Sequence, residues 1–264
     1  MKAKFLILFS VLLLIAPFAA YAEPTSPVDE LDNISDEALQ MVKLHRYEDA
    51  SRLLKHFSEE FLSVTGNGTP FSMDELRIIT VAHDEAIEAA ASAEMEHNER
   101  MNRVTKFRLV IDAIASTHQP LWTEMEGPIM TVFNDMKQAA YEGDNDQFHS
   151  NLNSFLSLYN VIYPSLKIDI TPDRIQKVDA KVSFIDQYRP QVLTEASSQD
   201  ELEALEADLQ NIFDDMTEDE ADPSLWWVII STGSIIILTL SYVGWRKYKG
   251  DHDKSKNVQK ERKN

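Results

Sequence analysis

The feature that most constrains this chain is an apolar run without charged residues, from Leu225 to Trp245. As an α-helix, its 21 residues cover about 31 Å, which is close to the hydrocarbon thickness of a bilayer. Aromatic residues mark both ends of the run, as they do at membrane interfaces: Trp226, Trp227, Tyr242, Trp245 and Tyr248. The run therefore predicts one transmembrane helix over residues 225–245, through which the chain contacts the lipid bilayer.

The charges on the two sides of this run differ in sign. Residues 246–264 carry eight Lys/Arg and three acidic residues, whereas residues 214–224 carry six acidic residues and no base. Short positively charged flanks stay in the cytoplasm. We therefore predict a single-pass protein of the cell membrane, with a basic cytoplasmic tail at 246–264, a solvated acidic linker at 214–224 and a helical extracytoplasmic domain at 23–213.

Residues 1–22 have the three parts of a secretory signal. Lys2 and Lys4 form a positive start, residues 5–15 form an apolar core, and Ala20-Tyr21-Ala22 is a small-x-small cleavage site. The apolar core is short for a membrane span. This pattern predicts a signal peptide that is cleaved after Ala22, and the alternative is an uncleaved N-terminal anchor.

Between the two apolar segments the chain is strongly acidic. Residues 23–224 contain 15 basic and 41 acidic residues, and the whole chain has no cysteine. The charge excludes a nucleic-acid binder of the basic-patch type, and the lack of cysteine excludes a disulfide-stapled mini-protein. Together with the export signal, these features also exclude a cytosolic enzyme.

Glycine and proline fall at the ends of apolar helical periods. Only four glycines occur between residues 23 and 224, and strand-like alternation is confined to Leu166, Ile168 and Ile170, which we expect to form an extended connector. The pattern predicts an all-α fold: an extracytoplasmic multi-helix bundle or short helical-hairpin array, plus one C-terminal transmembrane helix. The expected helices of the domain cover residues 28–44, 47–64, 73–117, 128–142, 145–163, 172–188 and 198–213.

Three short sequences predict helix starts. Two have the spacing of a capping box, and one places a cap residue before a proline at the first helical position. They are Ser72–Glu75, Ser198–Glu201 and Thr171–Pro172. Each sets the expected start of the helix that follows it.

The longest interval without glycine or proline, residues 71–119, allows two structures. One continuous helix would be roughly 70 Å long. A break near Glu96–Arg100 would instead give a helical hairpin. The sequence leaves both structures open for residues 73–117.

Glu94 and His97 have the Glu-x-x-His spacing that di-iron bundle proteins use twice. Asp146 and His149 are the nearest second copy, and His83 lies too far along a helix from His97 to share one ion. The sequence has no His-Glu-x-x-His, Gly-x-Ser-x-Gly, phosphate-binding glycine loop or cysteine nucleophile. We therefore predict no catalytic, cofactor-binding or metal-binding residue. The other histidines are scattered without metal-ligand spacing: His45, His56 and His118.

Apolar stripes predict helix packing at two further places. Residues 36–57 resemble one tetratricopeptide-type hairpin that turns at His45-Arg46, although a single unit is more simply read as an ordinary antiparallel helix pair. In the last helix of the domain, four apolar residues have a 3-4-3 spacing that suits packing against another helix. These residues are Leu202, Leu205, Leu209 and Ile212.

Four features of the chain point to a known family. They are the signal ending in Ala20-Tyr21-Ala22, the helical segment 44–50, the span that opens with Trp226-Trp227 and the basic tail. With these features the chain resembles the sporulation membrane protein family YpjB of endospore-forming bacteria, over essentially its whole length. The resemblance implies a bacterial cell-membrane protein connected with sporulation, and it carries over no active-site residue.

From these observations we expect a single-pass membrane-anchored protein whose extracytoplasmic helical domain is a non-enzymatic protein-interaction module linked to sporulation. Its expected partners are the bilayer, through residues 225–245, and a protein outside the membrane, with no nucleic acid and no cofactor. Two alternatives belong to other classes. One is a helical metal-binding protein or metalloenzyme that uses Glu94 and His97, and the other is a ligand sensor that acts through a partner.

Overall fold

The computed structural model describes residues 27–66, 71–116, 119–217 and 223–261. Within these ranges all regular secondary structure is helical and no strand occurs, so the predicted all-α fold is confirmed. The signal peptide predicted at 1–22 and residues 218–222 of the predicted linker lie outside the described residues. The chain divides into two compact units, one ending at Glu206 and the other beginning at Ala207.

Ten α-helices and one short 3₁₀ helix make up the described part of the chain. In order they are α1 Pro27–Lys43, α2 Tyr47–Gly66, α3 Met73–Ala91, α4 His97–Ala115, the 3₁₀ helix Leu121–Met125, α5 Glu126–Glu142, α6 Asn145–Asp169, α7 Pro172–Gln187, α8 Arg189–Thr194, α9 Ala196–Thr217 and α10 Pro223–Glu261.

The first unit is built from three consecutive helical hairpins: α1–α2, α3–α4 and α5–α6. In each hairpin the two helices pack closely against one another along their apolar stripes. The turn of the first hairpin contains His45 in the left-handed region at φ 60°, and the turn of the third contains Gly143 at φ 71°. The hairpin array is therefore the arrangement that this unit adopts, and residues 36–57 lie in its first hairpin.

The interval 73–117 forms a hairpin, because the helix breaks at residues 92–96, slightly before the predicted break. Ser92 leaves helical geometry, and its Oγ accepts the backbone N–H of Met95 at 3.1 Å. The buried guanidinium of Arg100 donates to the carbonyl of Ala89 at 2.7 Å and to the carbonyl of Met95 at 2.9 Å. The first bond satisfies a carbonyl that the end of α3 leaves without an intrahelical donor, and the second holds the turn that leads into α4.

Helix α4 lies at the centre of the first unit, where it packs against α1, α3, α6 and the 3₁₀ helix. A helix that is surrounded in this way has apolar residues on all its faces. The buried apolar residues of α4 are Val104, Phe107, Leu109, Val110, Ile111 and Ala113. Phe107 meets Phe57 of α2 edge-to-face, at a centroid distance of 4.8 Å, which joins the first two hairpins in one core.

Two of the predicted helix starts are confirmed and one is wrong. Ser72 and Glu75 form a capping box, in which Glu75 N–H donates to Ser72 Oγ at 3.2 Å and Ser72 N–H donates to the Glu75 carboxylate at 2.6 Å. Pro172 occupies the first turn of α7 after Thr171. Helix α9 begins at Ala196, however, so Ser198 lies inside its first turn and does not cap it.

The end predicted for the helix at residue 163 is also wrong. Helix α6 continues through Pro164 to Asp169, and Leu166 is buried in its last turns, so no extended connector forms there. The proline lacks an N–H but its φ suits a helix. Burial of Val161, Ile162, Leu166 and the following Ile170 favours the continued helix over a break.

The apolar stripe predicted for the last helix of the domain is buried along its whole length, at Leu202, Leu205, Leu209 and Ile212. Within the first unit, α9 is tied to α5 by polar contacts. Tyr141 donates its hydroxyl to the Glu203 carboxylate at 3.0 Å, and the Lys137 ammonium pairs with the carboxylate of Glu206.

In the second unit, α10 contains a segment from Val228 to Tyr248 that is long and apolar enough to cross a membrane. Its mean hydropathy is 1.8, and none of it is buried against protein. This finding agrees with the prediction of one apolar C-terminal helix, displaced by three residues from the expected 225–245. By length and composition the helix suggests membrane anchoring.

Candidate functional site

A groove runs along the first unit between α3 and α6. Both helices pack against α4 but scarcely touch each other, which leaves a gap above α4. Three adjoining cavities occupy this gap and the adjacent edge of α7. We call it the α3–α6 groove.

The middle cavity of the groove has a volume of about 260 Å³ and is largely apolar. Its walls come from helical stripes at positions i, i+1, i+4, i+5 and i+8 of α3 and i, i+3, i+4 and i+7 of α6. Val81, at the centre of the α3 wall, is 53% exposed although it is apolar. The residues that line this cavity are Arg77, Ile78, Val81, Ala82, Glu85, Lys106, Asn160, Tyr163, Pro164 and Lys167.

The two flanking cavities share residues with the middle one, so the groove is continuous. A cavity of about 420 Å³ shares Arg77, Ile78, Tyr163 and Lys167 with it and extends to α7. A cavity of about 300 Å³ shares Glu85, Lys106 and Asn160 with it and extends along α4. The further lining residues are Asp74, Ile170, Pro172, Ile175, Gln176 and Asp179 at the first end, and Glu88, Glu99, Asn102, Arg103, Ser157 and Val161 at the second.

At the α4 end of the groove, basic and acidic side chains neutralise each other. The Arg103 guanidinium contacts the carboxylates of Glu88 and Glu99, each at 2.8 Å. The Lys106 ammonium contacts the Glu85 carboxylate at 3.0 Å. The hydrogen bond and negative charge of Glu99, with a further contribution from Glu88, raise the pKa of Arg103, so this end is polar with its cations already engaged.

At the α7 end, two cations stand on opposite walls. Arg77 pairs with Asp74 at 3.3 Å, but both side chains are largely exposed, and such pairs are weak. The Lys167 ammonium is exposed and lies 5.6 Å from the centre of the Tyr163 ring. Burial and the charge of Asp179 raise the pKa of Tyr163, so its hydroxyl stays protonated and hydrogen-bonds Asp179.

Pro164 adds a backbone feature to the α6 wall. Because a proline has no N–H, it cannot donate to the carbonyl of Asn160, four residues earlier in α6. Both residues line the middle cavity. The groove therefore combines apolar side chains with a backbone carbonyl that lacks its usual helical donor.

The metal-site candidates of the sequence are not brought together. Glu94 lies in the turn between α3 and α4, and His97 is the first residue of α4, so the two do not share a helical face.

His97 instead contacts the first hairpin. Its Nδ1 lies 2.9 Å from the Tyr47 hydroxyl, and its ring stacks on His45 at a centroid distance of 4.0 Å. The Arg100 guanidinium lies 4.3 Å above the Tyr47 ring. The segment 44–50 therefore docks the first hairpin on the second.

The other histidines have separate local roles. His83 is buried and donates to the carbonyl of Leu54 at 2.8 Å, and desolvation lowers the pKa of His83. His149 follows Asp146 in α6 and contacts the Phe148 ring, whereas His56 is exposed near Glu59. His118 lies outside the described residues. Across the part of the chain that the structure describes, no three His, Cys, Asp or Glu residues form a group able to hold a metal ion.

Sequence reasoning missed a buried polar cluster around Arg108. Its guanidinium contacts Asp32 at 2.6 Å and Asp112 at 3.6 Å, and Asp112 accepts the N–H of Leu121 at 2.6 Å. Nearby, Asp169 accepts the indole N–H of the fully buried Trp122 at 2.7 Å. Burial, aided by the charge of Asp112, raises the pKa of Asp169 to about 6. These contacts join α1, α4 and α6 to the 3₁₀ helix.

Comparisons with known proteins agree with the resemblance seen in the sequence. The family model described as sporulation protein YpjB matches residues 28–257. A Bacillus subtilis (strain 168) protein named YpjB is 35% identical over 258 residues, which cover 97% of this chain and 98% of that protein. No solved structure matches the chain. Since the family model and this relative both span nearly the full length, the chain belongs to the sporulation protein YpjB family.

Proposed function

We propose that this protein is a single-pass membrane protein whose helical domain lies outside the cell membrane and binds another protein during sporulation through the α3–α6 groove. Its family supports the link to sporulation. The apolar segment of α10, with an acidic flank before it and a basic flank after it, supports the anchor and its orientation. The domain acts by recognition and carries out no chemical reaction.

The observation that carries this proposal is the α3–α6 groove itself, whose apolar residues no other helix covers. Apolar side chains at helical spacing normally pack against a neighbouring helix. Here Ile78, Val81 and Pro164 line a cavity, and Val81 is mostly exposed. Grooves between two helices bind a third helix through residues at i, i+3, i+4 and i+7. The α3–α6 groove is therefore suited to bind a helix from another protein.

The ionisable groups of the groove support recognition over acid–base chemistry. Lys106, Arg103 and their glutamates form ion pairs, and Tyr163 hydrogen-bonds Asp179. These ion pairs join α4 to α3 within the domain, so they fix the shape of this end of the groove and leave its charged groups already paired. A general base would instead need a free pair of electrons directed at a substrate.

Site-specific photo-cross-linking in sporulating cells tests the proposal. A photoreactive amino acid replaces Val81 in the groove or, as the control, Leu62 of α2, which is 70% exposed and lies outside the groove. We expect a discrete adduct from position 81 during sporulation and none from position 62. Equal labelling from both positions, or no adduct from position 81, would contradict the proposed function.

A further inference from the structure

We infer that Asp112 and Asp169 form a pH-sensitive latch, which holds the 3₁₀ helix Leu121–Met125 against α4 and α6 at acidic pH and loosens when Asp169 loses its proton. Two carboxylates that bind adjacent residues of the same short helix make up this latch. The latch is a property of the fold, and it does not depend on the proposed function.

Side chains from neighbouring helices hold the 3₁₀ helix in place. The helix is only five residues long, and the hydrogen bonds of such helices have poorer geometry than those of α-helices. Asp112 of α4 accepts the N–H of Leu121 at 2.6 Å, and Asp169 of α6 accepts the indole N–H of Trp122 at 2.7 Å. Because Trp122 is fully buried, movement of the 3₁₀ helix away from α4 and α6 exposes a large apolar ring.

The two carboxylates of the latch repel each other when both are ionised. Asp112 is buried and Asp169 is half-buried, and the charge of Asp112 acts on Asp169. The Arg108 guanidinium lies 3.6 Å from the Asp112 carboxylate, but it is shared with Asp32 of α1 at 2.6 Å. Two further charged groups face this junction, and both are acidic: Asp36 of α1 and Glu124 of the 3₁₀ helix. Ionisation of Asp169 therefore adds a negative charge to a junction that already has an excess of them.

Protonation of Asp169 removes this repulsion. Burial, and then the charge of Asp112, raises the pKa of Asp169 to about 6, and the hydrogen bond from Trp122 offsets the shift only in part. Opening exposes the carboxylate to water, where its pKa returns to about 4. The closed latch is therefore fully favoured below about pH 4, and its advantage falls as the pH rises to about 6 and is absent above it. Across this range the opening equilibrium should rise about a hundredfold.

The latch adjoins one end of the α3–α6 groove. Lys167 and Ile170, on either side of Asp169, line the cavity at the α7 end. When Asp169 loses its proton, this part of the groove wall loosens together with the 3₁₀ helix. Regulation of partner binding by pH is the consequence, and this consequence rests on the proposed function.

Hydrogen–deuterium exchange of the full-length protein in detergent micelles, read by mass spectrometry at pH 5 and pH 7.5, tests the latch. Protection factors correct for the direct effect of pH on exchange. We expect residues 120–126 and 165–170 to be about tenfold less protected at pH 7.5, and residues 130–140 of α5 to be unchanged. Protonation of His83, whose pKa is lowered by burial, would loosen the core at the acidic pH instead, so it cannot imitate this result.

The variant Asp169→Asn removes the titrating group but keeps an oxygen that can accept the Trp122 indole N–H. It should show the protection of the acidic form at both pH values. The matched control is Asp146→Asn, the same substitution at an exposed position in the first turn of α6. This control should keep the tenfold change of the parent protein. Circular dichroism checks that both variants retain the parent helix content.

The inference is overturned if the parent protein protects residues 120–126 equally at both pH values, or if α5 loosens to the same extent. These two outcomes need no variant, so they decide even where Asp169→Asn fails to fold. It is also overturned if Asp169→Asn keeps the pH dependence or if Asp146→Asn abolishes it. Each of these results leaves the proposed function intact, whereas loss of the adduct from position 81 would remove the proposed function and leave the latch.

Discussion

Arg100 should be the side chain on which the α3–α4 hairpin most depends. Replacing it with methionine keeps apolar volume but removes the bonds to the carbonyls of Ala89 and Met95, at 2.7 and 2.9 Å, and the contact with the Tyr47 ring. We therefore expect Arg100→Met to destabilise the first unit strongly without changing its buried volume much.

The size of the effect follows from these contacts. Hydrogen bonds to a charged group contribute about 1.5–3 kcal/mol each, and a partly desolvated cation–π contact contributes about 0.5–2 kcal/mol. Met95 is half-buried, so water can replace one of the lost bonds. We expect a loss of about 3–5 kcal/mol from a typical total of about 5–15 kcal/mol. For a domain of this size the melting temperature should fall by roughly 6–20 °C.

Thermal unfolding of the full-length protein in micelles, followed by circular dichroism, measures this change. The matched control is Arg52→Met, which removes an exposed arginine of α2 that pairs with Asp49 and should lower the free energy of unfolding by less than about 1 kcal/mol. If Arg100→Met and Arg52→Met shift the melting temperature equally, the hairpin does not depend on the buried guanidinium and the reasoning is wrong.

Three further predictions concern the buried polar cluster, the membrane topology, and the separate roles of the membrane anchor and the helical domain. The pKa of Asp169 is raised to about 6 in the folded protein, so its contribution to stability is present at low pH and is lost as the pH rises through 6. Asp169→Asn should therefore raise the melting temperature at pH 7.5 and lose this advantage at pH 4.5, and a pH-independent difference would contradict the linkage. Protease added to intact protoplasts should remove residues 23–224 and leave the tail protected, whereas a protected domain would refute the proposed orientation. Replacing residues 225–264 with an unrelated span and basic tail should preserve the sporulation role, since the apolar segment of α10 is uncovered and lacks a small-residue packing pattern. Leu205→Asp, in contrast, should unfold the domain because it places a charge at a fully buried position, as circular dichroism would reveal.

Local chemistry was enough to predict most of the helices. The starts at Ser72 and Pro172 and the turn at Gly143 depend on residues that are close in the sequence, and the structure has them where the pattern indicates. The errors arose where burial outweighed a local signal. Pro164 lies inside α6 because the residues after it pack in the core, and Ser198 loses its capping position because α9 begins two residues earlier.

The hairpin at residues 92–96 depends on contacts that local spacing does not reveal. The donor at Arg100 and the acceptor at Ala89 are 11 residues apart, and Tyr47 comes from the first hairpin. A continuous helix and a hairpin have the same local propensities in this interval. The tertiary contacts of one buried arginine distinguish them.

The sequence by itself determined the helical class, the apolar C-terminal segment, the charge asymmetry around it and the family. These properties follow from composition and short-range spacing, which the chain carries whatever its packing. Only the tertiary structure decided that the stripes at residues 77–85 and 160–167 stay uncovered. Each stripe alone looks like core, because an apolar period does not say which neighbour will cover it. The groove exists because α3 and α6 both pack on α4 and leave their facing sides apart.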